Sequence, residues 1–120
     1  MKFKKIILLI VILVVGNVTL AEHSHLEKYY QTEWCNANGG TMEYKLNDET
    51  RVDCLTNDYA VEVEFAKKWA ESIGQALYYG EKTGRQPSIV LIIEKQSDMK
   101  YYYRILPLCS FYHIKLFRIS

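Results

Sequence analysis

The chain has 120 residues, 15 Lys and Arg against 14 Asp and Glu, a formal net charge of +1 and 49% hydrophobic residues. That length suits one domain with one core, and the balanced charge excludes a global basic field of the kind that draws a protein onto nucleic acid or an anionic membrane. Cysteines at 35, 54 and 109 match no zinc-ligand spacing.

Lys2, Lys4 and Lys5 precede an apolar run from Ile6 to Val15, and Thr19-Leu20-Ala21 supplies small residues where a signal peptidase reads. The pattern predicts a signal peptide over residues 1–21. A retained anchor is the alternative, but the uninterrupted run is shorter than the ~20 residues of a spanning helix, and Asn17 and Thr19 interrupt its extension. Cleavage after Ala21 removes three basic residues and no acidic one, leaving 12 Lys and Arg against 14 Asp and Glu. The expected product is a single slightly acidic domain, 22–120, secreted or periplasmic and without a membrane span.

Along that domain Leu26, Tyr29, Tyr30 and Trp34 recur at helical spacing from about His23, and Asn38-Gly39-Gly40 stops them. Extended stretches follow at Thr41 to Leu46, Thr50 to Leu55 and Tyr59 to Phe65, separated by Asn47-Asp48-Glu49 and Asn57-Asp58, and predict a three-stranded meander. From Phe65 to about Lys82 the period turns helical, with Ala66, Trp69, Ala70, Ile73 and Leu77 on one stripe, ended by Gly84 and Pro87. Ile89 to Ile93 is a continuous apolar run, expected of a strand buried on both faces and reached by a helical crossover. Tyr101 to Leu106, ended by Pro107, predicts a further strand, and His113 to Ile119 a last edge strand or a tail.

If Asn57-Asp58 is a two-residue turn, the antiparallel register places Asp53 opposite Glu62 and Arg51 opposite Glu64. Like charges directly opposed weaken a sheet unless a proton or a cation lies between them, so Asp53 and Glu62 are candidate ligands of a divalent metal. Glu64 with Arg51 reads as an ordinary cross-strand ion pair. Cys54 points away from Asp53, toward a core face with Val52, Val61 and Val63. It is either a small buried hydrophobe or bonded to Cys35 behind the first helix, and both readings stand.

The order helix, three strands, helix, strand resembles the PD-(D/E)xK nuclease superfamily over about residues 43 to 94, with Asp53 matching the first acid of its motif and Glu62 the second. Gln75 and Tyr79 are similar to the Gln-xxx-Tyr helix motif of the RecB-like branch, which contacts nucleic acid. The resemblance implies an α/β fold with a mixed α+β sheet, a restriction-endonuclease-like core in the order α-β-β-β-α-β, and an extra C-terminal strand. One departure is plain: Glu64 stands where the superfamily usually has lysine.

The function implied is an exported nuclease that hydrolyses phosphodiester bonds through a Mg²⁺ or Mn²⁺ ion held by Asp53, Glu62 and the carbonyl of Val63, with nucleic acid, DNA ahead of RNA, as partner. Glu64, or Lys68 as a lysine displaced from strand to helix, would handle the proton, and Gln75 and Tyr79 would contact substrate. Glu27 or Glu33 on the first helix, and Glu43 on the first strand, are further acids that can turn toward the metal. The alternative is a catalytically inactive binding module of the same fold. Gln75 and Tyr79 are then a polar helix face, and Lys68 is a solvated lysine. His23 and His25, beside a terminus expected to be mobile, are poor ligands, and the Tyr101-Tyr102-Tyr103-Arg104 run reads as packing rather than base stacking.

Mature protein is expected outside the cytoplasm with Glu22 as its first residue. N-terminal sequencing of protein from the medium or envelope checks this, and an intact Met1 in the membrane fraction would refute it.

Overall fold

The computed structural model describes residues 23–120, and the expected signal peptide and its cleavage site lie outside them. The first helix, α1, spans Glu27–Ala37 rather than starting at His23. Residues 23–26 form a non-helical strap because Glu94 competes for their polar groups. Its carboxylate lies 2.7 Å from His23 Nδ1 and accepts the Ser24 N–H at 2.9 Å and the Tyr30 hydroxyl at 2.6 Å. His23 also stacks on Phe65, at 3.8 Å between ring centroids. The beginning of the domain, expected to be mobile, is therefore tied down.

The predicted meander is present as β1 (Thr41–Lys45), β2 (Arg51–Leu55) and β3 (Tyr59–Phe65), all antiparallel. Asn57-Asp58 is the expected two-residue turn, closed by the Thr56 N–H to the Tyr59 carbonyl at 3.0 Å. Cys54 pairs with Val61 and Leu55 with Ala60, which is the register read from sequence.

A short 3₁₀ turn (Ala66–Lys68) leads into α2 (Trp69–Thr83). Gly84 ends α2 in the left-handed conformation, φ 69°, and its N–H returns to the Gly80 carbonyl. The most buried line of the helix is Ser72, Ala76 and Gly80, flanked by Trp69, Ile73 and Leu77, whereas Ala70 faces solvent. Small residues on that line let the helix lie close to the sheet. The crossover delivers β4 (Gln86–Ile92) parallel to β3, with Val63 beside Val90. Pro87 lies inside β4, at its second position, rather than ahead of it.

The expected strand at Tyr101–Leu106 is instead part of a helix, α3 (Met99–Phe111). The alternation of aromatic residues suggested a strand, but Tyr101, Ile105 and Cys109 are four apart and face the core together, so the helical period prevails. Pro107 is tolerated on the solvent side of the helix. The last strand, β5 (Lys115–Ile119), is the predicted edge strand and runs parallel to β4.

The fold is a mixed α+β arrangement: five strands in the order β1-β2-β3-β4-β5, with three helices. Alternate residues of β3 and β4 build two cores. Val61, Val63, Val90 and Ile92 pack under α1 with Tyr30 and Trp34, while Ile89 and Leu91 pack under α2 and α3. Val52, expected with Cys54 under α1, packs with Leu55, Ala60 and Tyr79, because β2 parts from β3 beyond Cys54. Among the described residues no helix is long and apolar enough to cross a membrane.

Cys35 and Cys54 form a disulfide that fastens α1 to β2, and Cys109 is free and buried. A link closing a loop with a sequence separation of 19 contributes roughly 3 kcal/mol by restricting the unfolded chain. Gly40 leaves room for it: a Cβ there would stand 2.3 Å from Cys54 Sγ and 2.8 Å from Cys35 Sγ. Gly40→Ala is expected to cost about 2 kcal/mol through overpacking. The check is a lowered urea midpoint in non-reducing buffer, and an unchanged midpoint would show that the chain after α1 yields without strain.

Candidate functional site

Strand pairing between β2 and β3 ends at Cys54 and Val61, and the two strands then open like a fork. Asp53 and Glu62 stand at its base. Asp53 Oδ2 accepts the Val63 N–H at 2.9 Å, Glu62 Oε1 accepts the Asp53 N–H at 3.4 Å, and the buried Gln31 of α1 donates to the Asp53 carbonyl at 2.8 Å. The two carboxyls bond to each other. Sequence thus brought the right pair together, and Val63 joins it through its backbone.

Both acids are perturbed by this setting. Burial, then the neighbouring Asp53 carboxylate, pushes Glu62 up to about 9. Burial also raises Asp53, while the Val63 N–H pulls it the other way. At neutral pH Glu62 therefore keeps its proton and shares it with Asp53.

Glu64 is also buried, with 9% exposure, but its expected ion pair with Arg51 does not form. The strands have already separated at that level. Its partner is the Glu27 carboxyl, and its Oε1 accepts the Phe65 N–H at 3.1 Å. Burial, the bond to Glu64 and the charges of Glu64 and Asp53 push Glu27 up to about 8, with Lys68 acting in the opposite direction. The choice that periodicity left open between Glu27 and Glu33 is settled, since Glu33 is exposed on α1.

Glu43 approaches from β1, where it has φ 53°, a left-handed conformation rare for glutamate. A 2.9 Å bond from Lys28 holds its carboxyl below the usual range, with Arg51 contributing, and its charge in turn reaches Asp53. Lys68 is exposed on the 3₁₀ turn, with its ammonium in the field of Glu27. Tyr79 is half-buried beside the fork. Burial raises its hydroxyl, and the charges of Glu62 and Asp53 add to the effect. Gln75, a turn earlier on α2, is exposed and makes no contact with the acids.

Among the described residues no three His, Cys, Asp or Glu side chains stand ready-made as a metal shell. The fork offers two proton-sharing carboxyl pairs, Asp53 with Glu62 and Glu27 with Glu64. Their oxygen donors suit a hard divalent cation, which competes with the shared protons. His23 and His25 lie away from the fork, on the Glu94 side, and Arg104 lies over the rings of Trp69 and Tyr101.

Gln31 and Glu94 were not singled out from sequence. Glutamine within a helical pattern carries no local signal, and Glu94 follows an apolar run as an ordinary surface acid would. No protein-family model matches the chain, and no curated protein or solved structure matches it significantly.

The sign of the Glu62 linkage follows from its raised value. In chelator its contribution to stability is fully present below about 4.5 and is lost as pH rises toward about 9, because the unfolded chain releases this proton first. Glu62→Gln is expected to gain on wild type steadily across that window. Parallel melting-temperature profiles for the two proteins would mean that the carboxyl titrates normally.

Proposed function

We propose that this chain is an exported phosphodiester hydrolase of the PD-(D/E)xK type, in which Asp53 and Glu62 hold a Mg²⁺ or Mn²⁺ ion. The observation that carries this reading is the fork: two buried carboxyls meet where β2 and β3 part, on a core whose first six elements run α-β-β-β-α-β. Folding brings them together at an electrostatic cost that a cation would offset. The Cys35–Cys54 bond agrees with an oxidising compartment.

Bound at the fork, the cation would acidify a water and offset charge building on the phosphate. Asp53 and Glu62 fix its position, with the Val63 carbonyl beside them. Glu27 supports the pair from α1 through Glu64. In place of the usual motif lysine, Lys68 supplies the ammonium that orients the nucleophile, with Glu64 as the alternative proton acceptor. Tyr79, with Gln75 one turn before it, faces the substrate strand.

Glu64 at the lysine position, together with the acidity of the mature domain, favours a second reading in which the same fork binds a cation without reaction. Plasmid nicking with Mn²⁺ or Mg²⁺, against a chelator control, separates the two. The hydrolase reading expects nicking that Asp53→Ala and Glu62→Ala abolish, together with loss of the Mn²⁺-induced rise in melting temperature. Lys68→Ala should reduce the rate on the order of 100-fold, with Glu64→Gln milder. Stabilisation by metal without any cleavage of DNA or RNA would leave the binding module, and an unchanged metal response in both carboxylate variants would move the site elsewhere.

A further inference from the structure

A second cluster of charge lies along the same rim of the sheet as the fork. A cleft of about 170 Å³ opens between the ends of β3 and β4 and the start of α3. Lys67, Lys95 and Lys100 line it, together with His23, Ser97 and Tyr101. Lys67 belongs to the same 3₁₀ turn as Lys68, so the cleft continues the fork along Phe65 to Lys68.

Two acids border the cleft, but both are engaged elsewhere. Glu94 holds the strap through His23, Ser24 and Tyr30, and Asp98 Oδ2 accepts the backbone N–H groups of Glu94 and Lys95 at 2.9 and 3.1 Å. Among the described residues none of the three lysines is within ion-pair distance of a carboxylate. Ammonium groups gathered around a concavity without countercharge repel one another, and an anion relieves that repulsion. At about 170 Å³ the space suits a phosphate group better than a drug-sized organic ligand.

We propose that this cleft binds a backbone phosphate of a nucleic-acid strand, one that neighbours the phosphate presented to the fork. The identity of the ligand rests on the hydrolase reading, whereas the anion chemistry does not. The arrangement resolves a difficulty in that reading: an acidic domain with a carboxylate-rich fork needs a local positive surface to hold a polyanion, and these lysines supply one.

The test measures binding without cleavage, by fluorescence anisotropy of a short single-stranded oligonucleotide in chelator, with inorganic phosphate as competitor. Wild type is expected to bind. The triple variant Lys67→Gln, Lys95→Gln, Lys100→Gln, in which glutamine keeps the length of exposed stems, should bind about 10-fold or more weakly, and its salt slope should fall by about 2, at ~0.7 per lost phosphate contact. Phosphate should compete only at concentrations far above that of the oligonucleotide. No binding by wild type, equal binding by the triple variant, or displacement by equimolar phosphate would each overturn the proposal. Binding through the lysines in a protein that cuts nothing would remove the hydrolase reading and leave this site standing, whereas cleavage unaffected by the triple variant would do the reverse.

Discussion

Beyond Cys54 and Val61 the backbones of β2 and β3 no longer pair, and side chains take over the hydrogen bonds that a ladder would supply. Asp53 receives the Val63 N–H, Glu62 receives the Asp53 N–H, and Gln31 covers the Asp53 carbonyl. A buried backbone group left without a partner costs about 1–3 kcal/mol, so these acids serve the fold whatever chemistry they also perform. The same bonds fix where the carboxyls point. Their convergence is a property of the resting protein and needs no ligand to create it.

Holding like groups together requires support from outside the strands, and α1 provides it. The helix is fastened to β2 by the Cys35–Cys54 bond and reaches the fork through Glu27, Lys28 and Gln31, three residues on two successive turns. Lys28 anchors Glu43, whose left-handed backbone lies beside Asp53 and carries strain of order 1–3 kcal/mol. Strain, buried acids and displaced pKa values thus coincide at one place. Elsewhere the two cores are ordinary, with aliphatic strand residues packed under helices.

The meander, the crossover and the strand buried on both faces were legible because each follows from a local period and a turn signal. Asn57-Asp58 alone set the register that brings Asp53 and Glu62 together. The errors have a common physical source. Tyr101 to Leu106 favours strand by composition, but Ile105 and Cys109 complete a helical face that only the packed core rewards. Arg51 and Glu64 are opposed in an ideal hairpin, but that geometry presumes pairing that continues, and the pairing stops short of them. Glu27 could not be chosen over Glu33 because α1 shows which acid meets the fork only once it is docked. Gln31, a polar residue 3% exposed, is the converse case: its burial is explained by the one carbonyl it covers.

The strap at the beginning of the domain bears on where the smallest foldable unit starts. Glu94 has a side chain only 5% exposed, and four donors meet it: His23, the Ser24 and His25 amides, and the Tyr30 hydroxyl. Three of those four precede α1. A shortened protein beginning at Glu27 would keep every helix and strand yet leave a sheltered carboxylate with Tyr30 as its single donor, beside a Phe65 ring stripped of its stacking partner. The autonomous unit is therefore bounded by a polar contact spanning 71 positions rather than by the first turn of helix. Trimming to the edges of secondary structure, a common rule for isolating domains, would cut into the fold itself.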